Sequence, residues 1–527
     1  MRFERIVAIL LFASVLFLLL ARMTHAGALD RDECDSLHLA RMPQWADILE
    51  NLQYTAFPIL FPATVRTYAA LFGTSDLALR FFGLAVGVLM LGAAWFYSRS
   101  VNRQVPLLLP ALVGLNVNFL TTGGWLRGYG LGSLLAVLAF VFAGKFLLQP
   151  TARAFIAVFV AFIAASQLLF FNAALIAGIV LAGVPVLLLN QNRRWIWFFA
   201  LAALVCALLY LPYVVVIFSK VSKWAILVQL PLSFSDMLRQ GFEACAGSHV
   251  VSVVWLAIVL AALFGAVWRL CIIWDNGATR ERSLLIFGAV TIVACALAYF
   301  AFLRVAHNRL QERHYLALIC VVAVATDLIV ANLCHKHWIR LARLVVVVSA
   351  MASLAFISWP KIVERQSNMD LVADRLEKEA SPNDLIVVSP WWLGISFGHY
   401  FHGPNHWITV PEISDHRIHR YDLLKTKMME FFPLSDLESA IVQALKSGQR
   451  VWIVGHVRAD NLNPSVLAPA PDPEFGWSNY AYTNSWSDQV GLFLRQHATK
   501  ARRVLEAQPS VRDWENVPLF VAEGSRY

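Results

Sequence analysis

Charge is scarce in this sequence: Asp, Glu, Lys and Arg make up 15% of its 527 residues, while 59% are hydrophobic. An average soluble domain carries about 25% charged residues, so such a chain does not fold as a soluble globule throughout. Acids are scarcest over residues 1–358, which hold 14 Asp/Glu against 26 Lys/Arg, a net of +12. Residues 359–527 hold 20 against 17, a net of −3. The overall +9 therefore belongs to the hydrophobic part, where cations flank apolar runs, and it is not a nucleic-acid footprint. The seven cysteines show no Cys-x-x-Cys or Cys/His spacing, which argues against zinc and thioredoxin-like sites, and residues 359–527 contain none. Walker loops, dinucleotide fingerprints, zinc motifs, internal repeats and low-complexity tracts are all missing, so no cofactor is implied. A divalent cation on the acids described below has no motif to support it.

What is present is a series of long apolar runs. A helix needs about 20 apolar residues to cross the hydrocarbon of a bilayer, with about 17 as a floor. On that template the sequence predicts eleven spans: 6–21, 77–97, 105–121, 129–148, 154–171, 173–189, 195–218, 250–274, 284–303, 315–333 and 341–358. The N-terminus also has the form of a cleavable signal peptide, but the many spans that follow favour an uncleaved first helix. Placing Arg2 and Arg5 in the cytoplasm puts Arg99/Arg103, Arg153, Arg193/Arg194, Arg280/Arg282 and Lys336/Arg340 there too, as the positive-inside rule requires. Loops 22–76, 122–128, 219–249 and 304–314 and the tail then face outward, on the periplasmic or extracellular side of an inner (plasma) membrane. Cys34 and Cys245 would share that oxidising side, and spacing alone does not decide whether they pair.

The expected architecture is a polytopic α-helical membrane domain, 1–358, with a C-terminal soluble α/β domain, 359–527. In the first outer loop, 36–50 and 58–72 read as short interfacial helices, and Gly73-Thr74-Ser75-Asp76 as a turn with an N-cap. In the tail, 361–380, 433–447 and 485–499 read as helices, and 385–388, 406–411, 451–455, 502–507 and 517–522 as strands.

Against the shortage of acids, Asp30-Arg31-Asp32-Glu33-Cys34-Asp35 stands out, with six acids between residues 30 and 50. A helix boundary with caps explains some of them. Acids beside a bilayer are otherwise kept for ion, proton or substrate chemistry, which makes Asp32 and Glu33 candidates for a catalytic base. The outer loop 304–314 breaks the charge rule with Arg304, Arg309 and Arg313. Contact with headgroups would account for them, as would a site for a phosphate anion, which the guanidinium fork matches. Trp125-Leu126-Arg127-Gly128-Tyr129-Gly130 opens the fourth span, where an aromatic belt explains Trp125 and Tyr129 but not Arg127. Asp327 lies mid-span with no obvious partner charge, which favours an interhelical hydrogen bond over a proton relay.

These stretches, in this order, resemble the polytopic glycosyltransferases of the C superfamily, the group of protein mannosyltransferases and lipid A aminoarabinose transferases. Asp32-Glu33 after the first span matches that family's acidic pair. Leu71-Phe72-Gly73-Thr74-Ser75-Asp76-Leu77-Ala78-Leu79-Arg80 is similar to its "FG-x-S-x-x-ALR". Arg127 and Tyr129 match an Arg-x-Tyr, Glu312-Arg313-His314-Tyr315-Leu316 is similar to an "ERYL" with a histidine inserted, and Asp384-Leu385-Ile386-Val387-Val388-Ser389-Pro390 is similar to a "DxVxxxP". Tyr54-Thr55-Ala56-Phe57-Pro58 departs from the acid and His-Pro-Pro of many relatives, which removes a second acid or metal ligand.

The resemblance implies transfer of a sugar from a polyprenyl-phosphate donor to an envelope acceptor (glycolipid, polysaccharide or protein) on the outer face. Asp32 would be the base and Glu33 its helper, while Arg313, Arg304, Arg309, Arg127 and Tyr129 would bind the donor. A transporter or flippase for a lipid-linked or anionic solute is the alternative, weakened by the missing repeat symmetry. A scaffold role has no residue to single it out.

Overall fold

The computed structural model describes residues 2–55, 57–215, 233–245, 249–274, 279–306, 311–470, 479–508 and 510–526. They fall into two units, described separately. Of the described residues, the first holds 2–24, 57–214, 233–245, 249–274, 279–306 and 311–363, and the second 25–55, 215, 364–470, 479–508 and 510–526.

In the first unit the apolar runs form helices, because only a helix satisfies every backbone N–H and C=O within hydrocarbon. Among the described residues eight helices are long and apolar enough to cross a membrane, or nine if the bent pair His337–Ser353 and Phe356–Val363 is one span. The expected span 154–171 is the 17-residue helix Ala152–Leu168. The expected span 105–121 is not one helix but two, Leu108–Gly114 and Val117–Thr122. The break is chemical. Asn116 turns its side-chain oxygen onto Phe119 N–H at 3.1 Å and starts the second piece. Asp327, fully buried, accepts from Leu108 N–H at 3.0 Å and Asn102 Nδ2 at 3.3 Å, and so anchors the first. Asp327 thus serves as the interhelical hydrogen-bond acceptor its position suggested. Glu4 on the first helix pairs with Arg340 at 2.7 Å and Arg343 at 3.3 Å, which puts the N-terminus and the start of helix His337–Val363 on one side.

The second unit is built on a five-stranded sheet: β1 (Leu385–Ser389), β2 (Trp407–Thr409), β3 (Val451–Gly455), β4 (Ala498–Leu505) and β5 (Leu519–Ser525), in the order β2-β1-β3-β5-β4. β1 pairs parallel with β2 and β3, whereas β5 runs antiparallel to β3 and β4. Both faces are covered, which is why β1 and β3 are continuously apolar instead of alternating. Leu385, Val387, Val451 and Ile453 pack with residues of helices Ser435–Lys446 and Asn479–His497. Ile386, Val388, Trp452 and Val454 pack with residues of Met369–Glu379 and Leu393–Tyr400. At the head of β1, Asp384 accepts from Trp452 Nε1 at 3.0 Å, Arg450 Nε at 2.9 Å and the backbone N–H groups of Arg450 and Ser381. Burial pushes this carboxyl up, but these donors outweigh it and hold it below the usual range.

Two helices expected from sequence are broken. The stretch 361–380 is interrupted over 364–368, where Gln366 N–H donates to Ala26 at 2.7 Å and Arg365 N–H to Ser510 at 2.6 Å. Those distant backbone partners replace the helical ones. The stretch 36–50 is divided between Arg31–Ala40 and Trp45–Asn51, with Pro43 in the gap, where it has no N–H to donate.

Candidate functional site

Helix Arg31–Ala40 begins with a reciprocal cap. Asp30 Oδ1 accepts from Glu33 N–H at 2.8 Å, and Glu33 Oε2 accepts from Asp30 N–H at 3.1 Å. Asp30 also accepts from Gln366 Nε2 at 2.9 Å. Burial, reinforced by Glu33 and Asp32, pushes the Asp30 carboxyl up. Glu33 is wholly buried in this cap, so its carboxylate is engaged in holding the helix start.

Asp32 and Asp35 lie three residues apart and therefore on one helix face. His419 meets both. Its Nδ1 is 3.2 Å from Asp35 Oδ1, and its Nε2 is 3.7 Å from Asp32 Oδ1. Asp35 Oδ1 also accepts the His419 backbone N–H at 2.9 Å. Asp35 is closed off at 2% exposure, while the Asp32 side chain is 17% exposed. Of the four acids between residues 30 and 35, Asp32 is the one solvent or a substrate reaches.

Arg31 Nη1 lies 3.5 Å from Glu515 Oε1, with its guanidinium 5.4 Å from the Trp392 ring. Burial pushes Glu515 up to about 8; Arg31 pulls the other way, and Asp30 and Asp32 add to the rise. An ion pair at that distance would ordinarily keep the carboxylate charged, but Arg31 also faces Asp30 and Asp32, so its charge is shared. An acid whose folded pKa is raised adds its full stability below the unfolded value of about 4.3 and loses it as pH climbs toward 8. Glu515→Gln should remove that slope. Its melting temperature should change less than the parent's between pH 5 and 8, and the gap at pH 8 should be on the order of 2–5 kcal/mol in its favour. Parallel curves would show Glu515 to be ionised throughout.

In the first unit, helix Gly128–Leu148 is preceded by Arg127, and the 3-10 turn Glu312–Tyr315 leads into helix Leu316–Leu333. The Arg313 guanidinium lies 5.6 Å from the Trp125 ring and 5.8 Å from the Tyr129 ring. Arg127 lies 5.0 Å from the Phe57 ring, and Phe57 meets Tyr129 edge-on at 5.1 Å. The two arginines thus flank one aromatic group. Small residues permit this. A Cβ on Gly130 would sit 1.9 Å from Gly123 O, and one on Gly128 would sit 2.6 Å from the Phe57 ring. His314, the inserted residue, stacks on Phe171 at 5.1 Å and lies 5.8 Å from Tyr129. Arg304 is exposed near the end of helix Thr279–Ala306. Arg309 lies outside the described residues.

The structure therefore brings Asp32 together with Asp35 and His419, and Arg313 together with Tyr129, while Glu33 belongs to a cap. His419, Asp35, Glu515 and the Trp391–Tyr421 wall beside His419 were not singled out from sequence. The dense stretch His416-Arg417-Ile418-His419-Arg420-Tyr421-Asp422 is a signal for His419 and Tyr421, whereas Asp35, Trp391 and Glu515 lie outside it. Cys34 and Cys245 are both free thiols. Among the described residues no three His, Cys, Asp or Glu side chains are grouped to hold a metal ion.

No protein-family model and no curated protein matches the chain in sequence. Solved structures are similar to it, among them these two. ArnT from Cupriavidus metallidurans in the apo state aligns with a TM-score of 0.52 at 12% identity, over 97% of each chain. The Archaeoglobus fulgidus oligosaccharyltransferase in complex with Zn and sulfate aligns with a TM-score of 0.51 at 13% identity, over 94% of this chain and 72% of that one. At such identities the likeness is one of fold.

Proposed function

We propose that this protein is a membrane glycosyltransferase that moves a sugar from a polyprenyl-phosphate carrier to a hydroxyl-bearing envelope acceptor on the periplasmic face. The observation that carries the reading is the half-open Asp32 carboxylate on a helix whose other acids are closed, within a fold of this kind. Asp32 takes the proton from the acceptor hydroxyl, and the freed oxygen attacks the anomeric carbon with inversion. The bond from that carbon to the carrier phosphate breaks, and its electron pair leaves with the phosphate. A leaving dianion needs cations, and the permanently charged guanidinium of Arg313, with Arg127 and Arg304, supplies them. Tyr129 supports Arg313 through its ring.

Washed membranes given a labelled polyprenyl-phosphate sugar test the reading. Label transferred to an acceptor supports it, whereas label that crosses the bilayer without transfer establishes a transporter. Orientation has its own test, because both donor and acceptor must lie outside. A reporter enzyme active only in the periplasm, fused after Tyr527, should be active, and strong cytoplasmic reporter activity would reverse the topology.

A further inference from the structure

His419 is only 7% exposed, and its backbone N–H and both ring nitrogens face carboxylates of helix Arg31–Ala40, while its carbonyl accepts from Tyr421 N–H at 2.9 Å. Asp35 Oδ1 holds the backbone N–H at 2.9 Å and lies 3.2 Å from Nδ1. A carboxylate only accepts, so Nδ1 carries a proton, and the neutral ring then presents the lone pair of Nε2. That lone pair faces Asp32 Oδ1 at 3.7 Å. Tyr421 stacks along the ring at 5.7 Å and Trp391 closes its edge at 6.1 Å, so the imidazole has little freedom to turn away. Two acceptors that close from this distance to hydrogen-bond range gain from a proton between them.

We infer that His419 is a positioning residue for Asp32: it receives the proton Asp32 takes from the acceptor hydroxyl, and Asp35 steadies the imidazolium that results. This rests on the transferase reading. The step balances: the acceptor O–H breaks, its proton bonds first to Asp32 and then to Nε2, and solvent takes it from the ring before the next cycle. Asp32 is returned as a carboxylate. Other charged or titratable groups nearby include Arg31, Asp30 and Glu515, which act on Asp32, and His38, which interacts with Asp35, while Arg417 and Arg420 are held by Asp415 and Asp422.

Two measurements on the full chain in detergent decide the matter. The first needs no activity. With histidine labelled at Cε1 with ¹³C, the His419 resonance is assigned by its loss in His419→Gln or His419→Asn and followed across pH. Asp32→Asn removes the negative charge facing Nε2, and the His419 midpoint should fall by about one pH unit or more. An unchanged midpoint overturns the pairing. The second is the acid limb of transfer from a labelled polyprenyl-phosphate sugar. If the proton passes on to His419, that limb belongs to the pair and not to Asp32 alone. His419→Gln should lower the rate and shift the limb. Wild-type transfer with a limb unmoved by the substitution overturns the relay and leaves the transferase reading standing. Wild-type membranes that transfer nothing overturn the transferase reading, and with it the assignment of the pair to transfer, while the resonance separately shows whether Asp32 and His419 share a proton.

Discussion

Asp32→Asn is expected to lower transfer by about 10²–10⁴-fold, the usual contribution of a general base. The substitution keeps the size and polarity of the side chain and removes its ability to take a proton. Folding should be spared, because the Asp32 side chain is 17% exposed and the cap of its helix is made by Asp30 and Glu33 instead. Glu33→Gln provides the contrast. A glutamine at this position of a capping box still accepts the Asp30 N–H, so transfer and stability should change little. The readout is initial transfer rate per folded protein, with melting temperatures measured alongside. Near-normal turnover in Asp32→Asn would end its assignment as base. A larger loss in Glu33→Gln than in Asp32→Asn would exchange the roles of the two residues.

How far the sequence could be read depended on how local the determining contacts were. Runs such as 129–148 and 284–303 are legible because length and composition alone make a helix cheap in hydrocarbon. The break inside 105–121 is not, because it depends on Asp327, more than 200 residues away, taking the Leu108 N–H. The tail strands are legible because β1 and β3 are buried on both sides and read as continuous apolar runs. The interruption at 364–368 is hidden because its backbone partners are Ala26 and Ser510. The site divides in the same way. Asp32 could be found because acids are rare near a bilayer, so its position is itself a signal. His419 and Glu515 join it only through the fold, across 384 residues in the case of the bond between His419 and Asp35. Glu33 is expected from the sequence as the helper of Asp32, and only the cap geometry shows its carboxylate held at the helix start.

Arg313→Ala should weaken binding of a polyprenyl phosphate by roughly 10- to 150-fold, the value of a lost charge-assisted hydrogen bond at about 1.5–3 kcal/mol. That exceeds the median surface ion pair of about 0–1 kcal/mol, so the size of the loss discriminates between a binding site and a surface contact. Arg313→Lys is the sharper variant. Lysine keeps the charge but loses the planar fork that meets two phosphate oxygens at once, and it also loses the flat face now set against Trp125 and Tyr129. If Arg313 binds the carrier phosphate, the Lys variant should bind it on the order of 10-fold more weakly, within the range given for Ala. If Arg313 only anchors the start of helix Leu316–Leu333, lysine serves as well, and alanine lowers the yield of folded protein rather than affinity. The contacts with the two rings contribute about 0.5–2 kcal/mol to folding, which is why affinity must be normalised to folded protein in detergent. Unchanged affinity in purified Arg313→Lys would remove Arg313 from the donor site and leave Arg127 and Arg304 to meet the phosphate.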